Sequence, residues 1–167
     1  MEIFEVFLFF KIVWLVKSYK SILRLGLITG CGKGIGLASA EKILESNSED
    51  KLFGITRTST NELKNLADKY PKRFFFEICD ISDYQKFDEI LLIAKKNLGI
   101  FDYAICNAGI RSRKSIKRSK LELYREVFEI NTLANINIAK TLIRFASEDD
   151  KPLNILFISS IVGVRGF

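Results

Sequence analysis

The feature that most restricts the fold of this chain is an alternation, begun near Leu23, of short apolar runs with longer amphipathic ones. Leu23–Thr29, Leu52–Thr56, Arg73–Cys79, Phe101–Cys106 and Leu153–Ile158 have the length and apolar content of strands. Between them Gly34–Leu44, Asn61–Tyr70, Tyr84–Asn97 and Leu121–Ala146 read as helices. In the first helix Leu37, Ala40, Ile43 and Leu44 fall on one stripe; Pro71 stops the second and Gly99 closes the third. Strands that are apolar throughout lie buried on both faces, and a helix between parallel strands crosses over right-handedly. The pattern therefore predicts an α/β fold: a doubly wound parallel sheet of about five strands, with helices on both faces.

Composition limits the chemistry. The 167 residues, 48% of them hydrophobic, suit one globular domain, assigned here to residues 22–167. A net charge of +6 suits an anionic ligand such as a nucleotide and gives no ground for nucleic-acid binding. The chain has no His, which removes Ser-His-Asp hydrolysis and His-ligated metal sites, and no metal is expected. Cys31, Cys79 and Cys106 form no C-x-x-C pair and read as buried, reduced thiols of a cytoplasmic protein. Residues 1–21 form an apolar extension, in which only Glu5 and Lys11 interrupt the run Ile3–Val16. Three readings of it stand: an extra helix or mis-assigned start, a membrane-surface anchor flanked by Lys17, Lys20 and Arg24, or a spanning helix. The run falls short of the ~20 residues that a spanning helix needs. The basic stretch Arg111–Lys120 reads as a solvated loop and helix start, with docking of an acidic carrier protein as its alternative.

The strongest local signal is Thr29-Gly30-Cys31-Gly32-Lys33-Gly34-Ile35-Gly36, which follows the first strand and opens the first helix. A doubly wound sheet receives a pyrophosphate at this place, because missing side chains admit the backbone and the helix N-terminus offers free N–H groups. The common G-x-G-x-x-G begun at Gly30 would need glycine at Ile35, and a phosphate-binding G-K-S/T fails after Lys33. What fits is T-G-x-x-x-G-I-G through Gly30, Gly34 and Gly36.

Three more stretches stand at carboxyl ends of predicted strands: Asp80-Ile81, Asn107-Ala108-Gly109 and Ser159-Ser160-Ile161-Val162-Gly163. Together with the glycine loop they resemble, in order and spacing, the short-chain dehydrogenase/reductase family over about Leu23 to the end. The resemblance implies a Rossmann-like sheet, incomplete here, and an oxidoreductase moving hydride between a nicotinamide cofactor and a small-molecule carbonyl or alcohol. It implies that Gly30, Gly34 and Gly36 line the pyrophosphate, that Thr29, Lys33 and Ile35 of the same loop also bind the cofactor, and that Asp80 with Ile81 meets the adenine. By the same resemblance Asn107, Ala108 and Gly109 steady the sheet beside the cofactor. Asn131 holds a water of a proton relay, and Ser160, followed by x-x-Gly, polarises the substrate. Members are usually homo-oligomeric.

Cofactor choice follows from charge. A site for NAD usually carries an acid at the end of the second strand to bind the ribose hydroxyls. Here Thr56-Arg57-Thr58-Ser59 has none, and Arg57, with Lys33 in the loop, suits a 2′-phosphate, so NADP is expected rather than NAD. In the family a Tyr-x-x-x-Lys pair follows the serine. None of Tyr19, Tyr70, Tyr84, Tyr103 and Tyr124 has Lys four residues later, and the chain given stops at Phe167. The chain accordingly reads as a truncated, inactive piece of such an enzyme, or as a non-catalytic remnant that binds nucleotide or a partner.

Overall fold

A computed structural model describes residues 23–111 and 116–160. The apolar run at residues 3–16 and the end of the serine motif lie outside the described residues. Five parallel strands form one sheet: β1 (Leu25–Thr29), β2 (Lys51–Thr56), β3 (Phe74–Ile78), β4 (Tyr103–Cys106) and β5 (Asn154–Phe157). Their order across the sheet is β3-β2-β1-β4-β5. The strand order reverses between β1 and β4, and in an open parallel sheet that reversal opens a crevice at the carboxyl ends.

Helices α1 (Gly34–Ser46), α2 (Asn61–Lys69) and α3 (Tyr84–Leu98) agree with the sequence pattern to within two residues at each end. The long fourth helix expected over Leu121–Ala146 is divided. α4 (Leu121–Phe128) passes into a π turn, Glu129–Leu133, before α5 (Ala134–Glu148) resumes. Periodicity alone does not show the extra residue, because both halves keep an apolar face.

Two cores result. On one face Ile43 and Leu44 of α1 and Leu63 and Leu66 of α2 cover Ile28, Leu52, Phe74 and Ile105. On the other, Phe87 and Leu91 of α3 and Ile138, Leu142 and Phe145 of α5 cover Leu25, Leu27, Phe53, Ile55 and Ala104. Strand residues thus alternate between faces while every residue of β1 is buried, as expected of a central parallel strand. At the amino edge, the guanidinium of Arg24 meets the fully buried carboxylate of Asp50, Nη2 to Oδ2 at 2.7 Å. Arg73 donates to the carbonyls of Leu44, Asn47 and Asp50, fastening the α1–β2 loop.

Side-chain caps set two of the helix starts. Thr60 accepts from the Leu63 amide and Asp83 from the Lys86 amide. Asp80 is therefore not the cap of α3. Its Oδ1 accepts from the amide and hydroxyl of Ser82, a local turn at the end of β3. Among the described residues no helix is long and apolar enough to cross a membrane.

Candidate functional site

The crevice at the reversal is walled by the ends of β1, β2, β3 and β4. It encloses about 400 Å³ and is lined by Gly30 and Lys33–Ile35 of the glycine loop, Arg57, Asp80 and Asn107–Ile110. The sequence-selected stretches at the ends of β1, β3 and β4 are thus one surface. Ser160 stands three residues beyond β5 on the same carboxyl edge, exposed, and is not part of that lining.

Its centre is a strap between β1 and β4. The Thr29 hydroxyl, fully buried, accepts from the amides of Asn107 (3.2 Å) and Ala108 (3.1 Å). In return the Asn107 carboxamide donates to the carbonyls of Thr29 (3.1 Å) and Gly30 (3.3 Å). This closeness is what demands glycine. A Cβ on Gly30 would lie 2.9 Å from the Ala108 Cα, and one on Gly36 would lie 2.3 Å from the Gly30 carbonyl oxygen. Gly34 needs glycine for a different reason: its φ of +57° lies in the left-handed region, with open space around it. Lys33, exposed, precedes α1 and gives it no side-chain cap, so the first-turn amides of α1 face the crevice rim without a side-chain acceptor from that position.

Charge around the crevice is mixed. Arg57 is exposed at the end of β2, its Nη1 3.9 Å from Asp80 Oδ2. So long and solvated a pair contributes at most about 1 kcal/mol and leaves the guanidinium available. Ile81, beside Asp80, is buried in the core and also lines the crevice. The thiols beneath the site are inert: burial pushes Cys31 and Cys106 up to about 12. All three cysteines are free and buried, and among the described residues no group of acidic or cysteine side chains could hold a metal ion.

Asn131 lies in the π turn rather than in a regular helix. Its Oδ1 accepts from the Ile110 amide and its Nδ2 donates to the Ile110 carbonyl, both at 2.8 Å. The side chain thereby clamps the loop after β4 that walls the crevice. Tyr84, on α3, donates to the carboxylate of Glu129 at the start of the same turn, which raises its hydroxyl to about 12.

Two supports of the glycine loop, Thr60 and Gly32, carry no local sequence signal. The Thr60 hydroxyl donates to the Gly32 carbonyl at 2.8 Å, and a Cβ on Gly32 would stand 2.6 Å from the Thr56 hydroxyl. Gly32 belongs to the same glycine cluster, but its reason is contact with β2, which no local pattern reports.

The short chain dehydrogenase family model matches residues 25–167. Among curated proteins, a 3-oxoacyl-(acyl-carrier-protein) reductase of Rickettsia felis is 30% identical over 143 residues, covering 86% of this chain and 56% of that protein. A benzil reductase ((S)-benzoin forming) of Saccharomyces cerevisiae is 26% identical over 147 residues, covering 84% of this chain and 56% of that protein. A solved short chain dehydrogenase from Leptospira borgpetersenii with bound NAD+ superposes with a TM-score of 0.78 at 25% identity, covering 87% of this chain and 54% of that one. The chain spans about half the length of the curated relatives it matches.

Proposed function

The chain belongs to the short chain dehydrogenase family, and from that membership we propose that it serves an NADP-dependent oxidoreductase, with hydride passing between NADP(H) and a small carbonyl or alcohol substrate. The observation that carries the nucleotide reading is the strap of Thr29, Gly30, Gly36 and Asn107, where backbone approaches backbone too closely for any side chain. Such a cradle fits a dinucleotide pyrophosphate.

In this reading Gly30, Lys33, Gly34, Ile35 and Gly36 hold the pyrophosphate side, and Asp80 with the Ile81 backbone meets the adenine amino group. Arg57 and Lys33 pair with a 2′-phosphate, since β2 ends at Thr56 and Arg57 follows it, with no acid there to receive a ribose hydroxyl. The bound cofactor supplies or accepts the hydride. Ser160 polarises the substrate oxygen. The Asn131 side chain is committed to Ile110 and its main-chain carbonyl already accepts from Asn135, so a relay water would take the remaining lone pair of that carbonyl. The buried free thiols favour a reducing, cytoplasmic setting. The exposed apolar side chains Phe128, Leu133, Ile136 and Ile143 along α4, the π turn and α5 favour a homo-oligomer.

Titration of the protein with NADPH and NADH tests the nucleotide assignment. NADPH should bind about 10- to 100-fold more tightly, the equivalent of one charge-assisted contact of ~1.5–3 kcal/mol. Arg57→Ala should erase most of that difference. Equal affinity for both cofactors in the unmutated protein sinks the NADP assignment.

The second reading is a nucleotide- or partner-binding protein without turnover. Reduction of a ketone panel by protein produced from the complete coding sequence decides between the two readings. Turnover supports the first, and tight NADPH binding with no turnover supports the second.

A further inference from the structure

We propose that Asn135 is a positioning residue for the crevice: its buried carboxamide holds the π turn in place and thereby keeps Asn131 clamped on the loop after β4. The role of that loop in nucleotide binding rests on the reading given above, whereas the linkage itself does not.

In an uninterrupted α-helix the Ala134 amide would donate to Ile130, four residues back. Here it donates to Glu129, five residues back, and the Ile130 carbonyl loses its regular donor. Asn135 Nδ2 lies 3.4 Å from that carbonyl oxygen and 3.0 Å from the carbonyl oxygen of Asn131. Both partners are acceptors, so only the NH2 end of the carboxamide can face them, which settles its orientation. The other end is a cost. Asn135 is 8% exposed and its Oδ1 is buried with no partner. An apolar side chain of similar size would avoid that cost. A carboxamide kept here with its oxygen unsatisfied is explained by what its NH2 end does for the two carbonyls.

The extra residue of the π turn sets the angle at which Asn131 leaves the helix, because each residue advances the chain by about 100° around the axis. At that angle Asn131 meets both polar groups of the Ile110 backbone. Ile110 and Gly109 wall the crevice opposite the glycine loop, and a Cβ on Gly109 would stand 3.3 Å from Asn131 Oδ1. Asn135 does not itself line the crevice; it acts through Asn131 and through Ile130, a lining residue whose carbonyl it meets.

The test uses the whole 167-residue chain, 15N-labelled, with three variants. Asn135→Leu removes the donor and the unsatisfied oxygen together. Asn135→Val and Asn135→Thr have nearly the same shape, but the Thr hydroxyl can still donate to the carbonyl four residues back, that of Asn131. Asn135→Leu and Asn135→Val should speed hydrogen exchange at the Ile110 amide at least about tenfold and weaken NADPH binding by about tenfold, the effect of losing one or two hydrogen bonds. Asn135→Leu should melt no lower than the parent, and Asn135→Thr should recover most of the Ile110 protection. If Asn135→Leu, or Asn135→Val should Leu not fold, keeps Ile110 protection within twofold of the parent, Asn135 only fills space and the proposal falls. Equal loss in Val and Thr overturns it as well. Should the parent chain not bind NADPH, the nucleotide reading fails, and the Ile110 exchange comparison still decides the linkage.

Discussion

Gly34 and Gly36 stand two residues apart in the same loop, yet the structure assigns them different reasons and different costs. A Cβ on Gly36 would lie 2.3 Å from the Gly30 carbonyl oxygen, 2.6 Å from the Asn107 carboxamide nitrogen and 2.8 Å from the Gly30 carbonyl carbon. Two of the three are backbone atoms, so no rotamer change relieves the clash. The Gly30 carbonyl must move, and its 3.3 Å bond from Asn107 goes with it. Overpacking of this kind costs about 1–3 kcal/mol and the lost hydrogen bond about 0.5–1.5 kcal/mol. Gly36→Ala should therefore destabilise by roughly 2–4 kcal/mol, or about 4–16 °C in melting temperature for a chain of this size. Gly34→Ala meets nothing within 4 Å and bears only the left-handed backbone penalty at φ +57°, about 1–2 kcal/mol. Thermal and urea unfolding without nucleotide measure both variants. NADPH titration of Gly36→Ala should show at least tenfold weaker binding, because the displaced groups form the crevice wall. If Gly34→Ala is as destabilising as Gly36→Ala, or if Gly36→Ala leaves melting and affinity unchanged, the close-approach argument is wrong.

Thr29→Val keeps the shape of the side chain and removes the acceptor for Asn107 and Ala108. It should cost about 1–3 kcal/mol, with faster hydrogen exchange at the Ala108 amide as the local readout. Arg24→Ala leaves the Asp50 carboxylate buried without its guanidinium, and urea unfolding should show a loss of about 3–5 kcal/mol. Alkaline pH should destabilise the fold through its thiols. Cys31 and Cys106 are raised from 9.0 to about 12, so the folded state keeps protons that the unfolded state releases. Stability is then at its full value below pH 9 and falls between pH 9 and 12, at up to about 1.4 kcal/mol per pH unit for each thiol. Denaturant midpoints across that range check this, and a Cys31→Ala, Cys106→Ala double variant should flatten the slope.

The fold was legible because its signals are local. A parallel strand buried on both faces needs a continuous apolar run, and Leu25–Thr29 and Leu52–Thr56 are such runs with no competing helical period. The edge strands illustrate the limit. Phe74–Ile78 and Asn154–Phe157 are only partly covered, yet their composition resembles that of the central strands, so the sequence shows their existence and not their place at the margins. The order β3-β2-β1-β4-β5 is carried by no residue pattern and is read from the structure.

The candidate site was legible wherever a residue's reason lies in its own backbone or charge, and illegible wherever the reason lies across the sheet. Gly30, Gly34 and Gly36 announce themselves because missing side chains at a strand end have few uses, and Arg57 does so because an acid is absent beside it. Gly32 and Thr60 do not, since one leans on Thr56 and the other bonds to the Gly32 carbonyl 28 residues back. The π turn is the deepest such case. Each side of the single extra residue in Leu121–Glu148 keeps its own apolar face, so the pattern reads as one helix. What marks the turn is a pair of asparagines, Asn131 and Asn135, four residues apart in a stretch where a plain helix would favour neither. A short polar side chain inside a helix competes for backbone partners, and two on one face signal that the backbone there has groups to be served. An asparagine on the apolar face of a helix, one turn from a candidate site residue, is by that argument a sign of an interrupted hydrogen-bond ladder. The residue one turn before it on the same face is then the one whose geometry it controls.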